Sequence, residues 1–256
     1  QRHGWLKPHF ADDEGRLLMS VHCFVIESAG RRIVVDTCVG NDKPRQNPGW
    51  HQLMALYRGQ NLIAMPFADE RPGRWSAWAA GFYLHGQVEA GTLCPATMTQ
   101  AAIPLIQREP ALWAALKDPL LSTDYDERDV PLADKKSMWV GMGMTEKQGG
   151  SDVRANTTTA TPTGLGEREF TLRGHKWFFS APMCDAHLVV ARTADGGPSC
   201  FFVPRWRPDG SKNPIEIQRL KNKVGNRSNS SSEVEFKDAH GILMGEPGRG
   251  IPTIIE

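Results

Sequence analysis

Three things are missing from this chain of 256 residues. No apolar run approaches the roughly 20 residues that cross a bilayer, which excludes a spanning helix. No charge of one sign prevails. The net charge is +1, so no long-range field draws the whole molecule to nucleic acid or membrane. No C-x-x-C pair occurs among the five cysteines (Cys23, Cys38, Cys94, Cys184, Cys200), which argues against a zinc or disulfide framework. Free thiols in a reducing cytoplasm are the expected state. The start at Gln1 has neither an initiator Met nor a signal-peptide pattern, and the end at Glu256 stops in an apolar run. Both ends read as cut, so a fragment is expected.

What is present is an ordinary globular composition, 40% hydrophobic and 23% charged. Its organisation changes along the chain. Leu18 to Glu27 and Arg32 to Thr37 are rich in Val and Ile around an Ala29-Gly30 turn, which predicts a hairpin. A short helix is expected from Pro48, and Met65 to Arg74 reads as a proline-edged loop. Trp75, Trp78, Ala79 and Phe82 fall at i, i+3, i+4 and i+7, one stripe of a helix running to Ala90. Cys94-Pro95 starts a second helix, kinked at Pro104, and Pro110 a third. Ser122 to Asp129 reads as a solvated acidic loop.

From Met138 the period switches to two. Strands are expected over 138–144, 152–161, 169–179, 187–193, 199–206, 215–220 and 231–236. Helices first and short strands after predict an α+β chain with a β-barrel or two-sheet domain.

Two stretches carry chemistry. GMGMTEKQGGSD (Gly141 to Asp152) is a glycine-rich backbone able to approach a ligand and aim N–H groups at a phosphate. GHKWFFSAP (Gly174 to Pro182) sets aromatics beside the Ser180 hydroxyl, the parts a flat cofactor needs. Either one alone reads equally well as a turn or as barrel core. Arg219, Lys221, Lys223 and Arg227 form a basic cluster without interleaved aromatics, the pattern of a solvated face.

Taken together, the two stretches resemble the acyl-CoA dehydrogenase superfamily, in its AidB-like, alkylation-response branch, over about residues 47–256. The resemblance implies FAD, a helical N-terminal domain portion over 47–137, a middle β-barrel domain over 138–240, and a C-terminal helical domain of which 241–256 is the start. It implies that Met142, Gly143, Met144, Thr145, Glu146, Lys147, Gln148, Gly149, Gly150 and Ser151 run along the flavin and its pyrophosphate. Phe178 takes the ring-stacking position, Ser180 meets the reactive nitrogen, and Phe179 lies between them. Lys147 stands where the common form has Pro, which matches the AidB-like branch. The implied activity is oxidation of CH–CH groups in acyl thioesters by a homo-oligomer. The family's catalytic base lies further along, so no base is assigned. DNA binding in this branch belongs to a region beyond this sequence. Residues 17–45 resemble, more briefly, the first strands of metallo-β-lactamase-fold hydrolases, with Asp36 at a strand end. The HxHxDH zinc motif of those enzymes is missing, and His3, His9, His22, His51 and His85 are isolated. No metal is therefore expected.

Overall fold

The computed structural model describes residues 24–28, 31–35, 48–68, 70–194 and 197–255. Strands β1 (Phe24–Ser28) and β2 (Arg31–Val35) pair antiparallel, Ser28 opposite Arg31. Asp36 and the expected turn at Ala29-Gly30 lie outside the described residues.

Helices α1 (Pro48–Gly59), α2 (Met65–Ala68), α3 (Arg74–Val88), α4 (Leu93–Gln107) and α5 (Pro110–Leu121) follow. Met65 to Arg74 is thus part helix and not all loop. The α3 stripe is shifted from the expected one. Trp75 is half exposed, and Trp78, Phe82 and His85 face the protein. Periodicity finds an apolar stripe but not which edge of it is covered.

Next come β3 (Val140–Gly143), β4 (Thr159–Pro162), β5 (Glu169–Phe179), β6 (Ala186–Arg192), β7 (Pro198–Pro204), β8 (Ile215–Leu220), β9 (Ser232–Met244) and α6 (Gly250–Ile255). The strand expected over 152–161 shrinks to β4, because Val153–Ala155 forms a 3-10 turn. The sheet closes on itself. β6 pairs with β4, β4 with β5, β5 with β9, β9 with β7, and β7 back with β6. β3 adds to β6 in parallel, and β8 lies on β9.

The closed sheet has a core on each side of it. Val189, Ala191, Phe201, Val203, Phe179 and Phe236 fill the barrel. Leu188, Val190, Cys200 and Phe202, the alternate residues of β6 and β7, pack outward against Met54, Ile103 and Ile106 of the helices. Burial on both faces is why β6 reads as a continuous apolar run with no alternation. Arg58 stitches the two layers. It is buried, donates to the carbonyls of Leu120 (3.1 Å), Ser122 (2.8 Å) and Met138, and lies over the Trp139 ring at 4.6 Å. Among the described residues no helix is long and apolar enough to cross a membrane.

Candidate functional site

The site begins with an irregularity in β5. Lys176 pairs with Val234, but Phe179 pairs with Ser232, so Trp177 and Phe178 together face Glu233. This is a β-bulge, a device that re-aims side chains at a sheet edge. Phe179 turns into the barrel, fully buried, with its ring 4.3 Å from His187 and 5.8 Å from Phe236. Burial drives the His187 imidazole down to about 3, so it is neutral packing. Phe178 points the other way and is 45% exposed. Ser180 follows, half-buried, and bridges to Met142 of β3.

The glycine-rich stretch folds onto this strand end. The Trp177 amide donates to the Thr145 carbonyl (2.9 Å), and the Lys147 amide to His175 Nε2 (3.1 Å). The Gly149 amide closes a turn on the Glu146 carbonyl (3.0 Å). Gly149 has φ 126, which only glycine adopts without strain, and its Cβ side is open. Asn156 Nδ2 donates to the Met144 carbonyl (2.6 Å), and Gln148 Nε2 to Asn156 Oδ1 (2.9 Å). Beyond the turn, Gly150 and Ser151 are exposed. Their amides have no partner among the described residues.

Glu146 anchors the stretch from beneath. Its carboxylate is fully buried and accepts from Lys176 Nζ (2.8 Å), the Thr157 amide (2.7 Å) and hydroxyl (2.9 Å), and the Thr158 amide (3.0 Å). Burial alone would raise its pKa. The Lys176 charge and these hydrogen bonds outweigh it and hold the group at about 2.

The thirteen expected cofactor residues therefore divide. Gly143 is buried against the Phe179 and Lys176 side chains, whereas Met142, Met144, Thr145, Lys147, Gln148, Gly149, Gly150, Ser151, Phe178 and Ser180 keep at least partial exposure where the two stretches meet. Glu146 and Phe179 do not offer their side chains to this surface. The first is locked in a buried ion pair, and the second belongs to the barrel core. Both position the surface from behind. His175 sits inside β5 and holds the loop.

Two further expectations change. The acidic loop is not simply solvated. Asp126 is buried, takes both Arg128 and the Lys136 amide, and Arg128 holds it well below the ordinary carboxylate range. Lys135 Nζ bridges from that loop to Asp185 (3.1 Å), beside a hollow of about 880 Å³ lined also by His51, Tyr125, Trp139 and Arg205. The basic cluster does carry aromatics. Lys221 Nζ lies 3.6 Å from the Trp177 ring centre and 4.6 Å from that of Phe178. Sequence reasoning missed this because the aromatics come from β5, more than forty residues earlier.

Sequence reasoning also missed the far wall. The α3–α4 turn brings Cys94 to the Ser180 hydroxyl, Asn229 and Lys223. Burial pushes its thiol up, and those three neighbours pull it partly back. Glu89 fixes that turn. It accepts from the Gly91 and Thr92 amides (2.6 and 2.7 Å) and from Ser228 Oγ (2.5 Å) of the loop 221–231. No local signal marks Cys94, whose partners lie over eighty residues away, or the tie from Glu89 to Ser228, which spans over a hundred.

Comparison with known proteins places residues 41–127 on the adaptive response protein AidB N-terminal domain and residues 141–239 on the acyl-CoA dehydrogenase middle domain. The chain is 50% identical over 232 residues to AidB of Escherichia coli (strain K12), covering 90% of this chain and 41% of that protein. It is 28% identical to acyl-CoA dehydrogenase family member 11 of Caenorhabditis elegans, over 80% of this chain and 34% of the relative. The crystal structure of Caenorhabditis elegans ACDH-11 in complex with C11-CoA superposes with TM-score 0.71 at 25% identity, covering 96% of this chain and 38% of that one. Butyryl-CoA dehydrogenase from Megasphaera elsdenii, at 17% identity and TM-score 0.61, shares the fold over 81% of this chain and 53% of its own. The chain thus spans between about a third and two fifths of the length of these two curated relatives. Nothing in these comparisons supports the hydrolase resemblance of residues 17–45.

Proposed function

We propose, on the premise that an AidB-type N-terminal domain precedes an acyl-CoA dehydrogenase middle domain here, that this chain forms the flavin wall of an FAD-dependent, AidB-type acyl-CoA dehydrogenase-like oxidoreductase. The division we infer is a helical portion over 47–137, a β domain over 138–240, and the start of a further helical domain over 241–256. Residues 1–46 receive no function. The setting is a cytoplasmic homo-oligomer acting on an acyl-CoA-type thioester.

The observation that carries this reading is Phe178. Its ring is 45% exposed at the end of β5, beside the half-buried Ser180, and offers a flat apolar face on which a planar ligand can stack. The Ser180 hydroxyl stands two residues on, and the Gly150 and Ser151 amides have no partner among the described residues. An aromatic face, one hydroxyl and a row of amide donors are a donor set that fits a flavin with a pyrophosphate. Phe178 would stack on the ring, Ser180 would hydrogen-bond at its edge, and Gly150 and Ser151 would take the phosphates. FAD, when bound, supplies the hydride acceptor for oxidation of a CH–CH pair. The chain's own share is to fix the ring's plane and keep water from one of its faces.

The test adds FAD to the purified chain and its Phe178→Ala and Ser180→Ala variants. Loss of the stacked ring should weaken binding roughly tenfold, about 1 kcal/mol or slightly more. Ser180→Ala should shift the flavin absorbance maxima. Flavin affinity and spectrum unchanged in both variants would remove this assignment and return the strand to core.

A further inference from the structure

Lys221 leaves β8 and begins the loop 221–231, yet its side chain is only 9% exposed. It is folded back over the aromatic wall, with its ammonium 3.6 Å from the Trp177 ring centre and 4.6 Å from that of Phe178. Glu233 accepts from it at 2.8 Å. Glu233 is the residue opposite the β5 bulge, so the irregularity that lifts Phe178 outward also sets the carboxylate that holds the lysine. A lysine kept for solubility extends into water and retains its rotamer freedom. This one has given up both.

The local charge does not cancel. Glu233 also pairs with Arg219 (2.7 Å), while Arg219 and Lys147 lie 5.7 and 5.8 Å from the Trp177 ring centre. Two cations share the Glu233 carboxylate, and a third, Lys147, stands by the same ring. A cation over an aromatic face is attracted by the ring's quadrupole, so Lys221 also steadies the ring it covers.

We propose that Lys221 is a positioning residue of the ring site, holding Trp177 and Phe178 in place and giving the wall a positive field that favours the reduced, anionic form of a bound isoalloxazine over the oxidised form. The inference rests on the flavin reading above. A ring stacked on Phe178 shares that aromatic with the ammonium. Across roughly two ring thicknesses at an effective dielectric of about 20, one charge favours the anion on the order of tenfold.

The experiment titrates the 256-residue chain with oxidised FAD, then reduces the complex against a reference dye. Wild type, Phe178→Ala, Lys221→Met and Lys221→Arg are compared. Lys221→Met should favour reduced over oxidised flavin on the order of tenfold less than wild type does, lowering the potential. Lys221→Arg, which keeps the charge, should restore the potential. An unchanged preference for reduced over oxidised flavin in Lys221→Met overturns the inference, even if overall affinity drops, because that is what a merely structural lysine would do. Should Lys221→Met fail to fold, Lys221→Gln keeps a donor for Glu233 and is judged by the same ratio. If wild type and Phe178→Ala bind flavin equally or not at all, the flavin reading itself fails and the inference falls with it.

Discussion

Glu146 and Lys176 show what a single pair of residues does here. Two opposite charges with no exposure survive because each finds its partner and Glu146 also collects three donors from Thr157 and Thr158. Glu146→Gln would leave the Lys176 ammonium buried without a counter-charge, which costs roughly 3–5 kcal/mol. Urea unfolding at neutral pH measures that loss. The pair also sets an acid limit. Glu146 is depressed to about 2 from its ordinary 4.5, so its stabilisation is complete above about 4.5 and is lost as pH falls through about 2. Unfolding free energy followed from pH 6 to pH 2 should fall across that window in wild type and less steeply in Glu146→Gln. The motif Thr-Glu-Lys was visible in the sequence, but the direction of its glutamate was not. Thr157, Thr158 and Lys176 reach it from two other segments.

At the scale of elements, β5 decides the site. It carries two irregularities along one strand, one between Leu172 and Arg173 and one between Lys176 and Phe179. Gly174 follows the first. Its φ of 146 lies where other residues are strained, and an added Cβ would stand 2.6 Å from Thr158 Cα. Gly174→Ala should therefore cost roughly 2 kcal/mol or more, since strain and a backbone clash add. The melting temperature reports the loss. Flavin affinity should drop with it, because Thr158 pins the Glu146 lock to the His175 carbonyl. Period-two patterning located this strand and both its ends. It could not show the second bulge, because a bulge is a relation between two strands and only β9 supplies the missing count.

At the scale of the whole molecule, the helical layer and the barrel are held by a few polar ties across their packed faces. Glu89 joins the α3–α4 turn to Ser228, and Gly91 is pressed so closely onto that serine that an added Cβ would clash. Arg168 joins β5 to Glu109 at the start of α5 (3.0 Å), and Glu109 accepts the Gly245 amide as well. A double-mutant cycle on Glu89→Gln and Ser228→Ala should return a coupling of about 1 kcal/mol or more, because the bond is buried and charge-assisted. Zero coupling would mean that the turn and the loop are held independently. Each variant should still unfold in one transition by both tryptophan fluorescence and circular dichroism, since β6 and β7 contribute to both cores.

The sequence by itself determined the order of helices then strands, the barrel's composition, and which two stretches fold against one another. Those follow from periodicity, turn residues and short motifs, all of which are local. Tertiary structure alone decided which side chains of those stretches face outward. The bulge opposite Glu233 supplies the physical reason that Phe178, the residue the resemblance singles out, faces outward and Phe179 inward, and only the folded chain turned Glu146 toward Lys176. It also assembled the far wall of Cys94, Lys223 and Asn229, and laid Lys221 over aromatics from another strand. Register, burial and charge pairing are properties of two segments at once. A residue read in its own neighbourhood holds only half of each.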